Sequence, residues 1–82
     1  FVNVFPNPTN GLVNVQLQST KNSITTIEVT NVLGQVAQSR EVTLSIGVTP
    51  VTLDISHLPG GTYFVSFVDA LGTKHQEKLI KQ

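Results

Sequence analysis

Two histidines, five carboxylates and a scatter of serines are the residues of this chain that could do chemistry. His57 and His75 stand 18 positions apart. A zinc site takes three or four ligands, and neither histidine has carboxylates or further histidines clustered beside it. Asp54 and Asp69 could be imagined as an acid–base pair. Each has a local explanation instead: Asp54 is the outward residue of an alternating run, and Asp69 opens a turn. No serine lies in a Gly-x-Ser-x-Gly elbow. Five carboxylates spread over 82 residues supply no calcium loop. With no cysteine there is no disulfide, thiolate metal site or thiol nucleophile. The chemistry-bearing residues therefore predict a domain that is not an enzyme and takes no metal, cofactor or small-molecule substrate.

The rest of the composition points the same way. Five basic and five acidic residues are spread singly, giving a net charge of zero. Nucleic-acid binding needs a clustered basic face, so nucleic acid is excluded as a partner. No apolar run approaches the ~20 residues of a membrane-spanning helix. Eighty-two residues make one domain and leave a slim stability margin. The chain opens mid-strand with no initiator methionine, and we expect a single domain, residues 1–82, cut from a larger protein at a domain boundary.

The elements read as strands. Valine and threonine are abundant and no segment shows a 3.6-residue period. Val2-Asn3-Val4 alternates and predicts a short first strand. Phe5-Pro6-Asn7-Pro8-Thr9-Asn10-Gly11 predicts a rigid turn, with Asn7 in an Asx turn and Asn10-Gly11 at φ > 0. Val13, Val15 and Leu17 alternate with polar residues, as do Ile27 and Val29, and Val51, Leu53 and Ile55. Residues 19–23 read as a polar loop. Leu33-Gly34-Gln35 reads as a hairpin tip with Gly34 left-handed, and residues 69–73 as a second hairpin around Gly72. Residues 36–42 read as an edge or outward-facing strand, and residues 44–50 as a loop with some strand character. In the last strand Leu79 and Ile80 are adjacent, so one of them must face away from the core unless a bulge intervenes.

The stretch Leu58-Pro59-Gly60-Gly61-Thr62-Tyr63-Phe64-Val65-Ser66-Phe67-Val68 holds three of the five aromatic residues. It predicts a turn and then a central strand, with Tyr63, Val65 and Phe67 on one face and a nearly apolar second face. About seven strands with turn signals every 8–12 residues and no helix predict an all-β fold, an immunoglobulin-like antiparallel β-sandwich, with a barrel as the alternative.

Four motifs carry a family resemblance. Phe5-Pro6-Asn7-Pro8-Thr9-Asn10-Gly11 resembles the "YPNPtxG" opening of the type A C-terminal sorting domains of the type IX (Por) secretion system. Asn31-Val32-Leu33-Gly34-Gln35 is similar to the family's "D-x-x-G-k" hairpin. Leu58-Pro59-Gly60-Gly61-Thr62-Tyr63 resembles "LpaGtY", and Lys78-Leu79-Ile80-Lys81 resembles the closing "K-[ILV]-[ILV]-K". Asn31 stands where the family usually has aspartate, and Gly60 where alanine is commoner. Both departures are mild.

The resemblance implies a non-catalytic secretion signal at the C-terminus of a secreted or surface protein of Bacteroidota. It implies passage through the periplasm, recognition by the outer-membrane translocon, and removal by a sortase-like peptidase, with a cargo domain in cis. Residues 77–82 are expected to offer a free strand edge for β-augmentation, helped by the turns at 6–8 and 60–63 and by Lys78 and Lys81. Gly11, Asn31, Gly34, Gly61 and Tyr63 complete the motif residues. The alternative is an immunoglobulin- or fibronectin-like spacer or a carbohydrate-binding module. Sugar platforms use exposed aromatic faces, preferably tryptophan, and the chain has none.

Overall fold

The computed structural model describes residues 3–82. Seven strands form: β1 (Asn3–Phe5), β2 (Leu12–Ser19), β3 (Ser23–Asn31), β4 (Val36–Leu44), β5 (Gly47–Asp54), β6 (Gly61–Val68) and β7 (Lys74–Lys81). They make two antiparallel sheets, in the orders β1-β2-β5 and β4-β3-β6-β7. This is the expected immunoglobulin-like sandwich. Of the first strand predicted, Val2 lies outside the described residues, and the strand runs on through Phe5.

The core forms where the alternation placed it. Val13, Val15 and Leu17 of β2 and Val51 and Leu53 of β5 face Ile27, Val29, Tyr63, Val65, Phe67 and Leu79 of the other sheet. β6 is central, between β3 and β7, and Tyr63, Val65 and Phe67 are its inward residues. Its second face is less enclosed than predicted: Ser66 is buried, Phe64 half-buried and Val68 exposed. That face has no second sheet against it. Leu79 is fully buried and Ile80 half-buried on the opposite face, with the β6–β7 register unbroken and no bulge.

The segment read as a loop at 44–50 is mostly strand. β4 continues to the fully buried Leu44, a two-residue turn follows, and β5 starts at Gly47. Pro50 sits inside β5, opposite Gln16. Thr52 shares its parity, and the Thr52 carbonyl points away from β2 to accept a 2.8 Å bond from Arg40 Nη1. Pro50 thus has its missing N–H on the free edge, where no ladder bond is lost. Similarly, Ser19 ends β2 and is buried, its Oγ donating to the Lys21 carbonyl at 2.6 Å. The polar loop shrinks to residues 20–22.

The two hairpins that close the larger sheet are built alike. Asn31 Oδ1 accepts from the N–H groups of Leu33 (2.9 Å) and Gln35 (3.0 Å), and the Gly34 N–H donates to the Asn31 carbonyl. Asp69 Oδ1 accepts from Leu71 and Thr73 (both 2.9 Å), and the Gly72 N–H donates to the Asp69 carbonyl. Gly34 and Gly72 have φ of 83° and 86°, a conformation L side chains rarely adopt. Asn31-Val-Leu-Gly-Gln and Asp69-Ala-Leu-Gly-Thr are one local solution used twice.

Asp69 also accepts a 2.8 Å bond at Oδ2 from His75 Nε2, whose ring stacks on Phe67 with centroids 5.0 Å apart. The His75 bond, then the backbone N–H bonds, hold the Asp69 carboxyl below its usual value. Bonds from Ser56 do the same for Asp54. A carboxyl lowered in the folded state stabilises the fold above its unfolded value of about 3.9. That stabilisation is lost as the pH falls through the folded value. The melting temperature should therefore drop on acidification below about pH 4. Asp69→Asn should flatten part of that acid limb without unfolding the domain, since an amide oxygen does the same work at Asn31. An unchanged acid limb in thermal melts of the variant would contradict this.

Candidate functional site

The register places all four motifs at one end of the sandwich. β2, β4 and β6 run away from this end and β1, β3, β5 and β7 run toward it. Asn31 pairs with Tyr63, and Tyr63 with Leu79, so three motifs share one row across the sheet. The turn at 6–11, the hairpin tip at 32–35, the turn at 55–60 and Gln82 lie beyond that row. His57 and Asp54 are here, whereas His75 and Asp69 are at the far end. The sandwich therefore separates the two pairs that could have done joint chemistry. Among the described residues no three His, Cys, Asp or Glu side chains come together to hold a metal ion.

The first motif is clipped onto the last strand. Asn7 is not in an Asx turn. Its Nδ2 donates to the Lys78 carbonyl (2.9 Å), and its Oδ1 accepts from the Ile80 N–H (3.0 Å). Thr9 continues the contact as a parallel bridge to Lys81: its N–H donates to the Ile80 carbonyl (2.9 Å) and its carbonyl accepts from the Gln82 N–H (2.8 Å). Pro6 and Pro8, both after cis peptide bonds, flank Asn7 and stay exposed. The end of β7 is thus an occupied edge, contrary to the expectation that residues 77–82 offer free backbone groups. The sequence hint was Asn7 itself, whose side chain can mimic a peptide group by offering one acceptor and two donors.

Thr9 is buried and ties the turn to itself. Its Oγ1 donates to the Leu12 carbonyl (2.8 Å) and accepts from the Gly11 N–H (3.1 Å). Gly11 is not at positive φ, so the Asn-Gly reading of this turn was wrong. Glycine is needed for a close approach: a methyl group here would stand 2.8 Å from Ser56 Cβ. The Gly11 carbonyl also accepts from the Ile55 N–H at 2.8 Å, which holds the two turns together. Gly11→Ala should cost about 1–3 kcal/mol through overpacking. A urea midpoint equal to the parent's would refute that.

The third motif closes the other side of β7. Gly61, at φ 157°, opens β6 opposite Lys81. A methyl group on Gly60 would lie 3.4 Å from the Lys81 and Gln82 backbone, an ordinary contact, so alanine fits there. Tyr63 buries its ring and donates its hydroxyl hydrogen to the Pro59 carbonyl at 2.6 Å, fixing the turn before its own strand.

The closing motif divides its residues. Leu79 enters the core, while Lys78 and Lys81, three residues apart on one strand, point to opposite faces. They are therefore not one basic patch. The aromatic residues form no open platform either: Tyr63 and Phe67 are buried and Phe64 is half-buried, which leaves Phe5 exposed among those described.

Comparison with known proteins agrees with this arrangement. Neither the curated proteins nor the solved structures give a match. A family model described as "Secretion system C-terminal sorting domain" matches residues 3–82, which contain all four motifs and the whole sandwich. The chain belongs to that family, the C-terminal sorting domains of the type IX secretion system, which mark proteins for export across the outer membrane to the medium or the cell surface.

Proposed function

We propose that this domain is the non-catalytic address label of a larger Bacteroidota cargo joined to it in cis, read at the end of the sandwich where its motifs meet. The observation that carries this reading is the clip of Asn7 and Thr9 onto β7. It joins the first and last motifs, 71 to 73 residues apart, into one surface that exists only in the folded chain. Pro6, Asn7 and Pro8, Lys78 and Lys81, and the exposed Val32 and Leu33 at the tip of the β3–β4 hairpin, all at this end of the sandwich, form the end surface met by the type IX outer-membrane translocon. Gly11, Gly34, Gly61, Tyr63 and Leu79 shape that face from behind, and Asn31 and Ile80 join its parts. A sortase-like peptidase then removes the domain from its cargo. Recognition is of a folded surface rather than of a free strand edge.

The test is export of a periplasm-directed reporter in a bacterium with a type IX system. Fused to this domain, the reporter should reach the medium or cell surface. Without it, the reporter should stay in the periplasm. Equal retention of both would remove the proposal.

A further inference from the structure

The outer edge of β7 is covered at its end and open along its first half. Ile80 directs both its N–H and its carbonyl away from β6, toward Asn7 and Thr9. In an antiparallel pair this orientation recurs every second residue. Lys74, Gln76 and Lys78 therefore also point their backbone groups outward. The Lys78 carbonyl is taken by Asn7. The N–H and carbonyl groups of Lys74 and Gln76 and the Lys78 N–H meet no partner among the described residues. All three side chains are exposed on the outer face of the sheet. The other two long edges differ. Arg40 covers β5 at the Thr52 carbonyl, and β4 has a register shift in its pairing and carries both signs of charge at Arg40 and Glu41.

We propose that this edge, residues 74–78, is a docking site for an extended peptide strand carrying acidic side chains four residues apart. The five outward backbone groups supply a ladder, and the glutamates or aspartates stand opposite Lys74 and Lys78. The same charges exclude a second copy of this chain. In the antiparallel register that uses all five residues, Gln76 meets Gln76, and each Lys74 meets a Lys78 directly across the strand. Like charges so placed repel. The edge thus discriminates by charge between a foreign acidic strand and itself. This goes beyond the export reading, and its test is a binding measurement that does not depend on export.

The probe is a blocked seven-residue peptide with glutamate at its second and sixth positions, threonine at its fourth and valine elsewhere. It is titrated into the isotopically labelled domain. The expected result is shifted and exchange-protected amides at Lys74, Gln76 and Lys78, while the β4 amides stay unchanged. A peptide with lysine in place of both glutamates should bind about tenfold more weakly. K74E/K78E should reverse the preference. Three results would each overturn the proposal: no response of these amides at millimolar peptide, equal binding of the two peptides, or a response confined to β4. Self-association of the unliganded domain through these same amides would overturn the exclusion of a second copy.

Discussion

Tyr63→Ala should be among the most damaging single substitutions in this domain, lowering stability by about 3–5 kcal/mol. The ring lies in the core at the centre of the row Asn31–Tyr63–Leu79. Its removal leaves a cavity between the sheets, and it strips the Pro59 carbonyl of its hydroxyl donor. A chain of this length has a total stability of roughly 4–12 kcal/mol, so the loss takes a large share of it. The melting temperature should fall by about 15 °C or more. Tyr63→Phe separates the two contributions: it keeps the ring and should cost about 1 kcal/mol. An alanine variant within about 1 kcal/mol of the parent in urea unfolding would show that the motif tyrosine is not a core residue.

Removal of residues 79–82 should unfold the domain. The truncation takes away Leu79, whose side chain is fully buried, and Leu79→Ala alone should cost about 2–5 kcal/mol. It also deletes Ile80 and Gln82, the backbone partners of Asn7 Oδ1 and Thr9, which leaves the first motif held to β7 by the Asn7–Lys78 bond alone. The expected result is loss of the cooperative melt at 37 °C, and with it loss of export for want of a folded face. A truncated domain melting within a few degrees of the parent would contradict this. The half-buried Ile80 and the lysines at 78 and 81 are the residues of this motif whose substitution leaves the core intact.

Much of the fold was legible because it depends on period and punctuation. Val13, Val15 and Leu17 could be assigned to the interior from alternation alone, and Gly34 and Gly72 from hairpin chemistry. The clip was not legible. It joins residues more than 70 positions apart through the side chain of one asparagine, and nothing local distinguishes an asparagine that bonds its own turn from one that bonds a distant strand. Gly11 shows the same limit. Asn-Gly predicts a positive φ from local sterics, whereas the glycine answers to Ser56, a neighbour supplied by the tertiary fold. Residues 44–50 were obscured by Gly47 and Pro50, which punctuate the sequence without interrupting the strand, because Pro50 sits on an edge. The repeated Asx-x-Leu-Gly hairpin was in plain view at 31–35 and 69–73, and pairwise comparison of the turns would have found it.

That repeat supplies a matched experiment. Leu33 and Leu71 occupy the same position of the same turn, both exposed, at opposite ends of the sheet. L33S/K81E alters the end where the motifs meet, and L71S/K21E makes the same chemical changes at the far end. The decisive measurement is export of the fused reporter for the two double variants, with melting temperatures confirming that both fold. The account predicts that L33S/K81E holds the reporter in the periplasm while L71S/K21E exports it like the parent. Equal export of the two, or loss confined to the far-end variant, would contradict recognition at the motif end.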